Sequence, residues 1–381
     1  MLSRSGKAVE GPAKVLVVSH GYEAIYERGF CNGLSDNQMD FVLVSSDSTD
    51  YAGLRHGTRT LNLRGSQEGR RPRWRKALNL IRYHATLLWY VFRTKPRVLH
   101  VIGLLAPPLI AGVLDGLWFR LFAGNYVLTV HDLLPHDRAT WKNKVLFHLS
   151  FRLATTLVVH TAKVRQALIE RHGVSPSAII VMEHGIEPLA SLPSTDERRD
   201  NGGSWNILFF GKVMRYKGLD VLLDALHDTC IDFRLVIAGT GTSAPHTAEL
   251  NAAISTHPKS HWIVWHNRFI EESELPSLFG AADVVVLPYK HIDQSGILFQ
   301  ALRYGVPLVA TRVGSFENYV TPDVGELAEQ VDARSFGRAL VRCHARRASL
   351  TREKVASVGR RFEWQHTVPV LSGFYESVSP T

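Results

Sequence analysis

Cysteine is scarce in this sequence, with three residues among 381, Cys31, Cys230 and Cys343. Their spacing is that of neither a metal site nor a disulfide framework, which argues against a disulfide-stabilised secreted domain. A reducing compartment is the simplest explanation, so we expect a cytoplasmic protein. The N-terminus also lacks the apolar stretch of a secretory signal peptide, in agreement with that expectation.

Long uninterrupted apolar runs are also missing. The most apolar window, residues 102–122, contains Asp115, Arg120, two prolines and several glycines. We interpret it as a strand end followed by a buried helix, and not as a membrane span. The overall composition, 45% hydrophobic and 21% charged, is ordinary for a globular chain. A length of 381 residues exceeds a single ordinary core and predicts two domains.

Negative charge is deficient in the N-terminal half. Residues 1–190 contain 24 lysines and arginines against 14 aspartates and glutamates, whereas the rest of the chain, from totals of 44 and 35, is nearly balanced at 20 against 21. The formal excess of +9 therefore belongs to the first half. Such an asymmetry suggests an anionic partner for that half.

Short apolar runs alternate with helical patterns along the first half, which is typical of buried parallel strands joined by helices. The predicted strands are 13–19, 40–45, 98–102, 126–130, 156–160 and 179–182. Helices are predicted at about 22–34, 74–92, 106–122, 140–152 and 161–172, and the polar, Arg- and Gly-rich residues 46–72 are predicted to be mainly loop. We therefore expect an α/β, Rossmann-like domain over residues 1–190.

The alternation stops at residues 191–205, which have the composition of a linker. It then restarts, with strands predicted near 206–210, 233–238, 262–265, 283–287 and 307–310. We expect a second Rossmann-like, doubly wound domain over residues 206–360. Residues 361–381 predict a C-terminal helix that crosses back onto the first domain.

The helix predicted at 74–92 is amphipathic and basic at its start. Its apolar residues recur at three- and four-residue spacing: Trp74, Leu78, Ile81, Ala85, Leu88 and Phe92. Six basic residues cluster just before it and in its first turn: Arg64, Arg70, Arg71, Arg73, Arg75 and Lys76. Two interpretations stay open, a helix that faces the core with a solvated basic end, or a helix that lies on an anionic membrane surface.

The stretch 208–218 predicts a strand that ends at Gly211, a loop that carries Lys212 and Lys217, and the start of a helix. Ligands bind at the carboxyl ends of strands in open parallel sheets, and helix amides with nearby ammonium groups suit a phosphate. The spacing is not that of a P-loop. A basic but purely solvated loop is the alternative.

A second unit of this kind lies downstream, where a strand ends at Pro288 and Ser295-Gly296 begins a helix. Because Gly296 has no Cβ, an anion could approach the amides of Ile297 and Leu298 closely. The two loops together predict one phosphate site.

Taken together, these motifs resemble the retaining GT-B glycosyltransferases of family four. The resemblance covers nearly the whole chain. It is carried by Gly211-Lys212, Lys217-Gly218, 237–241, 295–298 and 301–311 in the second half, and by His131-Asp132, His184-Gly185-Ile186 and Phe362-Glu363-Trp364 outside it.

The resemblance implies a GT-B fold, in which two Rossmann-like domains face an interdomain cleft. It implies a nucleotide-diphosphate sugar bound to the C-terminal domain, with Lys212 and Lys217 acting on the diphosphate. Gly296, Ile297 and Leu298 would supply amides to the phosphates, and Phe269 would lie along the base. Further substrate contacts are expected from Gly211, Gly239, Ser295 and Asp293.

One departure from the family pattern concerns its paired glutamates. Gln300 stands where the family has the glutamate that usually binds the ribose, and Asp293 lies one residue from the position of the other. Gln300 still offers hydrogen bonds to a ribose, but without charge.

His131 is the implied catalytic histidine, with Asp132 beside it, and Gly21 belongs to the implied acceptor loop. The alternative for His131 is a strand-end histidine bonded to the backbone. The resemblance implies attack of the acceptor hydroxyl on the face from which the diphosphate leaves, with no metal and no cofactor.

The function expected is a retaining, hexosyltransferase-like enzyme of bacterial surface polysaccharide or glycolipid synthesis, whose acceptor is a glycan or a lipid-linked glycan. Peripheral attachment to the inner face of the cell membrane, through the region from Arg64 to Lys76, is a further expectation. The alternatives are a GT-B nucleotide-sugar epimerase and a non-catalytic protein that binds sugar nucleotides or polysaccharide. Nucleic acid is not expected, because aromatic residues are not interleaved with the basic cluster.

Overall fold

The chain divides into two compact units, one formed by Met1–Gly185 with Trp364–Thr381 and the other by Ile186–Glu363. The computed structural model describes residues 14–21, 24–68, 71–103, 109–131, 133, 140–189, 191 and 204–378. Most of the expected linker, residues 192–203, lies outside these ranges. The second unit already begins at Ile186, before that linker.

The first unit contains a parallel sheet of seven strands in the order β3-β2-β1-β4-β5-β6-β7. The strands are β1 (Val15–Val18), β2 (Phe41–Ser45), β3 (Arg59–Asn62), β4 (Val98–Val101), β5 (Asn125–Val130), β6 (Thr156–Val159) and β7 (Ile179–Val181). The four residues of β1 alternate between two apolar clusters, Leu16 and Val18 in one and Val15 and Val17 in the other. Helices therefore cover this sheet on both faces.

The helices of the first unit divide between these two faces. Helix α1 (Ala24–Asp36) shares one cluster with α13 (Trp364–Thr367) and α14 (Pro369–Ser377), the helices of the chain's C-terminal end. Helices α2 (Arg73–Thr94), α3 (Leu109–Phe122), α4 (Trp141–Leu153) and α5 (Ala162–His172) contribute to the other. The right-handed crossover rule accounts for this division, because the chain reverses its direction across the sheet between β3 and β4.

Two residues attach the C-terminal helices to the first unit. Tyr375 bonds through its hydroxyl to His100 of β4. The ring of Trp364 lies against Gly29 and Gly185, so closely that a Cβ at either glycine would come within 2.1 Å of it.

The second unit contains a parallel sheet of six strands in the order β10-β9-β8-β11-β12-β13. The strands are β8 (Trp205–Phe210), β9 (Phe233–Ala238), β10 (Ile263–His266), β11 (Val284–Leu287), β12 (Leu308–Thr311) and β13 (Gly325–Ala328). The helices are α6 (Leu219–His227), α7 (Ala244–Thr256), α8 (Leu275–Ala281), α9 (Gly296–Arg303), α10 (Phe316–Tyr319), α11 (Ala333–Ala345) and α12 (Arg352–Gly359).

Two edge strands differ from the sequence prediction. Strand β3 lies within residues 46–72, which were predicted to be mainly loop, and β13 was not predicted at all. Each is short and pairs on one side only, so it needs few apolar side chains. In β3, Leu61 is the one large apolar residue, and β13 begins with a glycine. A period-two apolar pattern cannot be recognised in so few residues.

Helix α3 corrects a second expectation, because it is not wholly buried. Phe119 is buried, but Ile110, Leu114, Leu117 and Leu121 are exposed on the opposite side. A helix on the face of a sheet has to bury only one stripe, and the apolar composition of residues 102–122 does not show which of its residues lie against the sheet. Among the described helices, none combines the length and the hydropathy that a transmembrane span requires.

Candidate functional site

The predicted site residues of the second unit come from loops at one edge of the sheet. Gly211 and Lys217 follow β8, Gly239 follows β9, Phe269 follows β10 and Gly296 follows β11. All strands are parallel, so these loops leave the same edge. The strand order reverses between β8 and β11, which is the switch point where open α/β sheets bind ligands.

Lys217 lies where the loop after β8 meets the start of α9. Its side chain is buried, with 7% exposed. A Cβ added at Gly211 would lie 2.9 Å from Lys217 Nζ and 2.8 Å from Ile297 Cδ1. The ammonium group therefore lies close to the end of β8 and to the first turn of α9. Tertiary structure has brought together the cation and the helix start that are 80 residues apart in sequence.

The loops after β8 and β11 also hold each other in place. The amide of Lys290 donates to Tyr216 O at 2.6 Å, and Lys290 Nζ forms an ion pair with Asp220 at 2.5 Å. Gly218 has a φ of 68°, and a Cβ there would lie 2.0 Å from Pro288 O. Only glycine permits both this backbone conformation and this approach.

The N-terminus of α9 is open on the side of Gly296. No atom of the described structure lies within 4 Å of a Cβ built at Gly296, and the residue is exposed. Ser295 at the N-cap makes no side-chain capping bond, and the helix itself offers no partner to its first amides. The amide of Leu298 donates to Ser295 O at 3.2 Å. Gly296 and Ile297 therefore carry the amides best placed for an anion.

Tyr289 forms part of the floor beneath this site, a role that sequence patterns did not indicate. Its ring is 1% exposed, and Lys217 Nζ lies 5.6 Å from the ring centroid. Burial raises the pKa of Tyr289, so the phenol stays protonated. The cation thus has an aromatic face on one side, an arrangement that favours a charged ammonium group.

Gln300 lies one turn beyond Gly296 on the same face of α9. Its Oε1 atom is buried and has no hydrogen-bond partner in the part of the chain that the structure describes. A buried acceptor without a partner is unfavourable by about 1–3 kcal/mol. A ligand hydroxyl that donates to this atom would remove that cost.

Asp293 is half-buried in the loop between β11 and α9. Its carbonyl oxygen accepts from Ser315 N at 3.1 Å, which joins this loop to the one after β12. In the structure, the backbone of Asp293 therefore connects two loops.

The loops after β9 and β10 continue the same edge. Gly239 has a φ of 149°, and a Cβ there would lie 2.1 Å from Gly211 O. Gly241 N donates to Asn267 Oδ1 at 2.9 Å, and Phe269 is 70% exposed two residues further on. Lys212 is exposed at the end of β8. An exposed aromatic ring and an exposed cation therefore lie in loops at the same edge of the sheet as the phosphate candidate.

The predicted residues of the first unit lie in a different environment. Gly21 has a φ of 74°, but the space that its missing side chain leaves is taken by Gln67, since a Cβ would lie 1.6 Å from Gln67 Nε2. Gln67 Nε2 donates to His20 O at 3.1 Å. No sequence pattern indicated that Gln67 would occupy this space. Asp132 lies outside the described residues.

His131 is half-buried at the end of β5 and donates from Nε2 to Ile102 O at 2.7 Å. Its ring centroid lies 4.8 Å from that of Tyr26 and 5.2 Å from that of His160. Burial, with a smaller effect of His131, lowers the pKa of His184 to about 4 and that of His160 well below its usual range. His131 thus lies beside histidines whose burial favours the neutral form.

The overall fold matches solved structures over nearly their whole lengths. HepE of Anabaena, in complex with UDP and glucose, matches with a TM-score of 0.72 over 97% of this chain and 100% of that chain, at 15% identity. Sucrose-phosphate synthase of Thermosynechococcus elongatus matches with a TM-score of 0.74 over 96% and 98%, at 17% identity. The chain therefore has the two-unit α/β GT-B fold that its motifs implied.

The second unit also matches a known family over most of its length. Residues 204–346 match the family described as glycosyl transferases group 1. This match agrees with the glycosyltransferase resemblance noted in the sequence.

Curated relatives agree with this assignment. D-inositol 3-phosphate glycosyltransferase of Corynebacterium aurimucosum is 26% identical over 65% of this chain and 63% of its own length. GDP-mannose:glycolipid 4-beta-D-mannosyltransferase of Xanthomonas campestris pv. campestris is 29% identical over 48% of this chain and 49% of its own length. The matches thus span 63% and 49% of the lengths of these two relatives, less than two thirds in each case.

Proposed function

We propose that this protein is a glycosyltransferase that transfers a sugar from a nucleotide-diphosphate donor with retention of configuration. The observation that carries the proposal is the meeting of Lys217, Gly211 and the first turn of α9 at the switch point of the second sheet. An ammonium group and free helix amides at one point suit a diphosphate. The family of the second unit supports the same ligand class.

The relatives support the classes of donor and acceptor. HepE of Anabaena has been solved with UDP-glucose, and one curated relative is named for transfer from GDP-mannose to a glycolipid. For this chain we propose a nucleotide-diphosphate sugar as donor and a glycan or lipid-linked glycan as acceptor. Surface polysaccharide or glycolipid synthesis in the cytoplasm, at the inner face of the membrane, is the role that fits these partners.

In the proposed mechanism the acceptor hydroxyl attacks the anomeric carbon on the face from which the nucleoside diphosphate leaves. The new glycosidic bond forms as the bond to the diphosphate oxygen breaks, and the departing phosphate takes the proton. The protein stabilises charge that grows on the leaving group. Lys217, with Lys212 and the amides of Gly296 and Ile297, would supply that stabilisation without a metal or cofactor.

The remaining roles are proposals of the same kind. Gln300 would accept a hydrogen bond from the ribose through its unpaired Oε1, and Phe269 would lie along the base. Gly239, Ser295 and Asp293 would line the donor site. His131 stays the proposed catalytic histidine, with Asp132 and Gly21 on the acceptor side.

The first experiment measures ligand binding. Thermal unfolding is followed with UDP, GDP, ADP and their sugars, because a ligand that binds the native state raises Tm by mass action. One nucleoside diphosphate should raise Tm, and the donor sugar of the same base should be hydrolysed or transferred. If none of these compounds shifts Tm, the phosphate site is wrong.

Lys217→Ala then tests the cation. Losing one fixed charge at the leaving group should lower kcat by roughly a hundredfold or more. Lys217→Met retains the apolar stem beneath the ammonium group, so loss in both variants would assign the effect to charge. Lys354→Met, at a surface lysine that pairs with Asp323 at 3.0 Å, is the matched control. Normal turnover by folded Lys217→Met would refute the assignment.

A non-catalytic protein that binds sugar nucleotides is the second candidate, because Gln300 stands where the family has a glutamate. It predicts a Tm shift with the nucleotide but neither transfer nor hydrolysis with any donor sugar of the panel. An epimerase would instead convert the sugar of the nucleotide without an acceptor.

A further inference from the structure

We propose that helices α2, α3 and α4 of the first unit form a docking face for an anionic lipid bilayer. The proposal depends on the first unit alone and does not require the diphosphate site. Twelve of the 18 exposed large hydrophobic side chains of the described residues belong to these three helices. Contiguous apolar surface of this kind marks an interaction site.

The apolar stripe of α2 faces outward, which excludes the interpretation that this stripe faces the core. Trp74, Leu78 and Ile81 are 63%, 59% and 66% exposed, and Trp89 and Phe92 are also exposed. The helix packs on the sheet through a different stripe: Tyr83, Leu87 and Val91. Because the protein core does not require the outward stripe, a partner is its simplest physical explanation.

The stripe continues across the two neighbouring helices. On α3 the outward residues are Ile110, Leu114, Leu117 and Leu121, and on α4 they are Trp141, Val145 and Leu149. Trp118 joins α3 to α2, since its Nε1 donates to Leu88 O at 3.0 Å. Phe92 packs against Phe122 with ring centroids 5.2 Å apart. The outward residues therefore form one surface, because α2 to α4 lie on the same face of the sheet.

The charges on this surface have one sign. The three helices carry nine lysines and arginines, all exposed: Arg73, Arg75, Lys76, Arg82, Arg93, Arg120, Lys142, Lys144 and Arg152. Their one carboxylate, Asp115, is buried and pairs with His84 at 2.8 Å. Two tryptophans of this surface each have a cation beside the ring, with Arg75 5.0 Å from the ring of Trp74 and Lys142 5.9 Å from that of Trp141. Apolar insertion with a cationic rim suits anionic lipid headgroups.

Charge also argues against a second copy of the chain as the occupant. A two-fold interface would place the same face against itself, so that cations would meet cations. The face exposes no carboxylate of its own that could compensate them. An anionic bilayer supplies both the apolar phase and the opposite charge.

The test is cosedimentation of the full chain with vesicles of phosphatidylcholine alone or mixed with phosphatidylglycerol, at low and high salt. We expect binding to the mixed vesicles, weaker binding at high salt, and a blue shift of tryptophan fluorescence on binding. Trp74, Trp89 and Trp141 would report that shift, because they are exposed in the unbound protein.

Two variants separate the apolar from the electrostatic contribution. Ile81→Ser with Leu114→Ser and Leu117→Ser should lower the partition coefficient by about tenfold or more. Arg75→Gln with Arg82→Gln and Lys142→Gln should lower it by on the order of a hundredfold, since each surface cation contributes roughly fivefold.

Each variant has a matched control that changes exposed residues outside the face. Val331→Ser with Val341→Ser and Val370→Ser removes three exposed aliphatic side chains elsewhere. Arg234→Gln with Arg334→Gln and Arg338→Gln removes three exposed cations of the second unit. Both controls should bind the mixed vesicles as the parent chain does.

Three outcomes would overturn the proposal. The parent chain could stay in the supernatant with mixed vesicles, or both face variants could bind as strongly as it does. The third outcome is a dimer in light scattering that the serine variant alone converts to a monomer, with no vesicle binding, which would identify a second copy as the occupant.

Discussion

Gly296→Ala separates the stability of the second unit from its ability to bind a diphosphate. A Cβ at this position meets no atom within 4 Å, and the backbone does not require a positive φ. The substitution should therefore leave the fold intact and stabilise it by about 0.4–1 kcal/mol, because alanine loses less conformational entropy on folding. Any loss of binding would then come from the site itself.

The expected loss follows from what the Cβ would occupy. The methyl group stands where an anion would approach the first amides of α9. Losing one charge-assisted hydrogen bond is unfavourable by about 1.5–3 kcal/mol, which raises Kd by roughly ten- to a hundredfold. Calorimetric titration with the nucleoside diphosphate that raises Tm in the parent chain measures this ratio directly.

The matched control is Gly373→Ala in α14, where a new Cβ also meets nothing within 4 Å. It should bring a similar gain in stability without any change in Kd. If Gly296→Ala binds the diphosphate as tightly as the parent chain while Tm is at least maintained, the amides of α9 do not form the phosphate site.

Three further predictions concern the same two units. Gln300→Met removes the unpaired Oε1 at similar size, so Tm should hold or rise while Kd for the nucleotide rises by about tenfold. Gly239→Ala should lower the free energy of unfolding by about 1–3 kcal/mol in denaturant titrations, because φ is 149° and Gly211 O blocks the Cβ; unchanged stability would contradict this backbone geometry. Burial lowers the pKa of His100 to about 3 and that of His184 to about 4, whereas the unfolded chain takes up these protons near pH 6.5. The free energy of unfolding should therefore keep its full value above pH 6.5 and fall by up to about 1.4 kcal/mol per histidine by about pH 5.5. A Tm that does not fall over this interval would contradict this prediction.

The sequence alone was sufficient for the fold class and for the prediction that two loops of the second unit meet at one edge of its sheet. Continuous apolar strands can be recognised because both faces of a parallel sheet are buried, and the β8 and β11 segments are of this kind. The proximity of Gly211, Lys217 and Gly296 could be predicted because loops after parallel strands leave one edge of the sheet. These inferences are local, since each depends on the residues of one segment and on a general rule.

Only the tertiary structure decided what lies against each element. The pattern of α2 shows that one stripe is apolar, but not whether that stripe meets the sheet or solvent; Tyr83 and Leu87 pack on the sheet instead of Trp74 and Ile81. Likewise, no local pattern shows that Gln67 fills the space above Gly21, or that Gln300 has a buried acceptor without a partner. These facts depend on contacts between residues distant in sequence, and periodicity within one segment carries no information about such contacts.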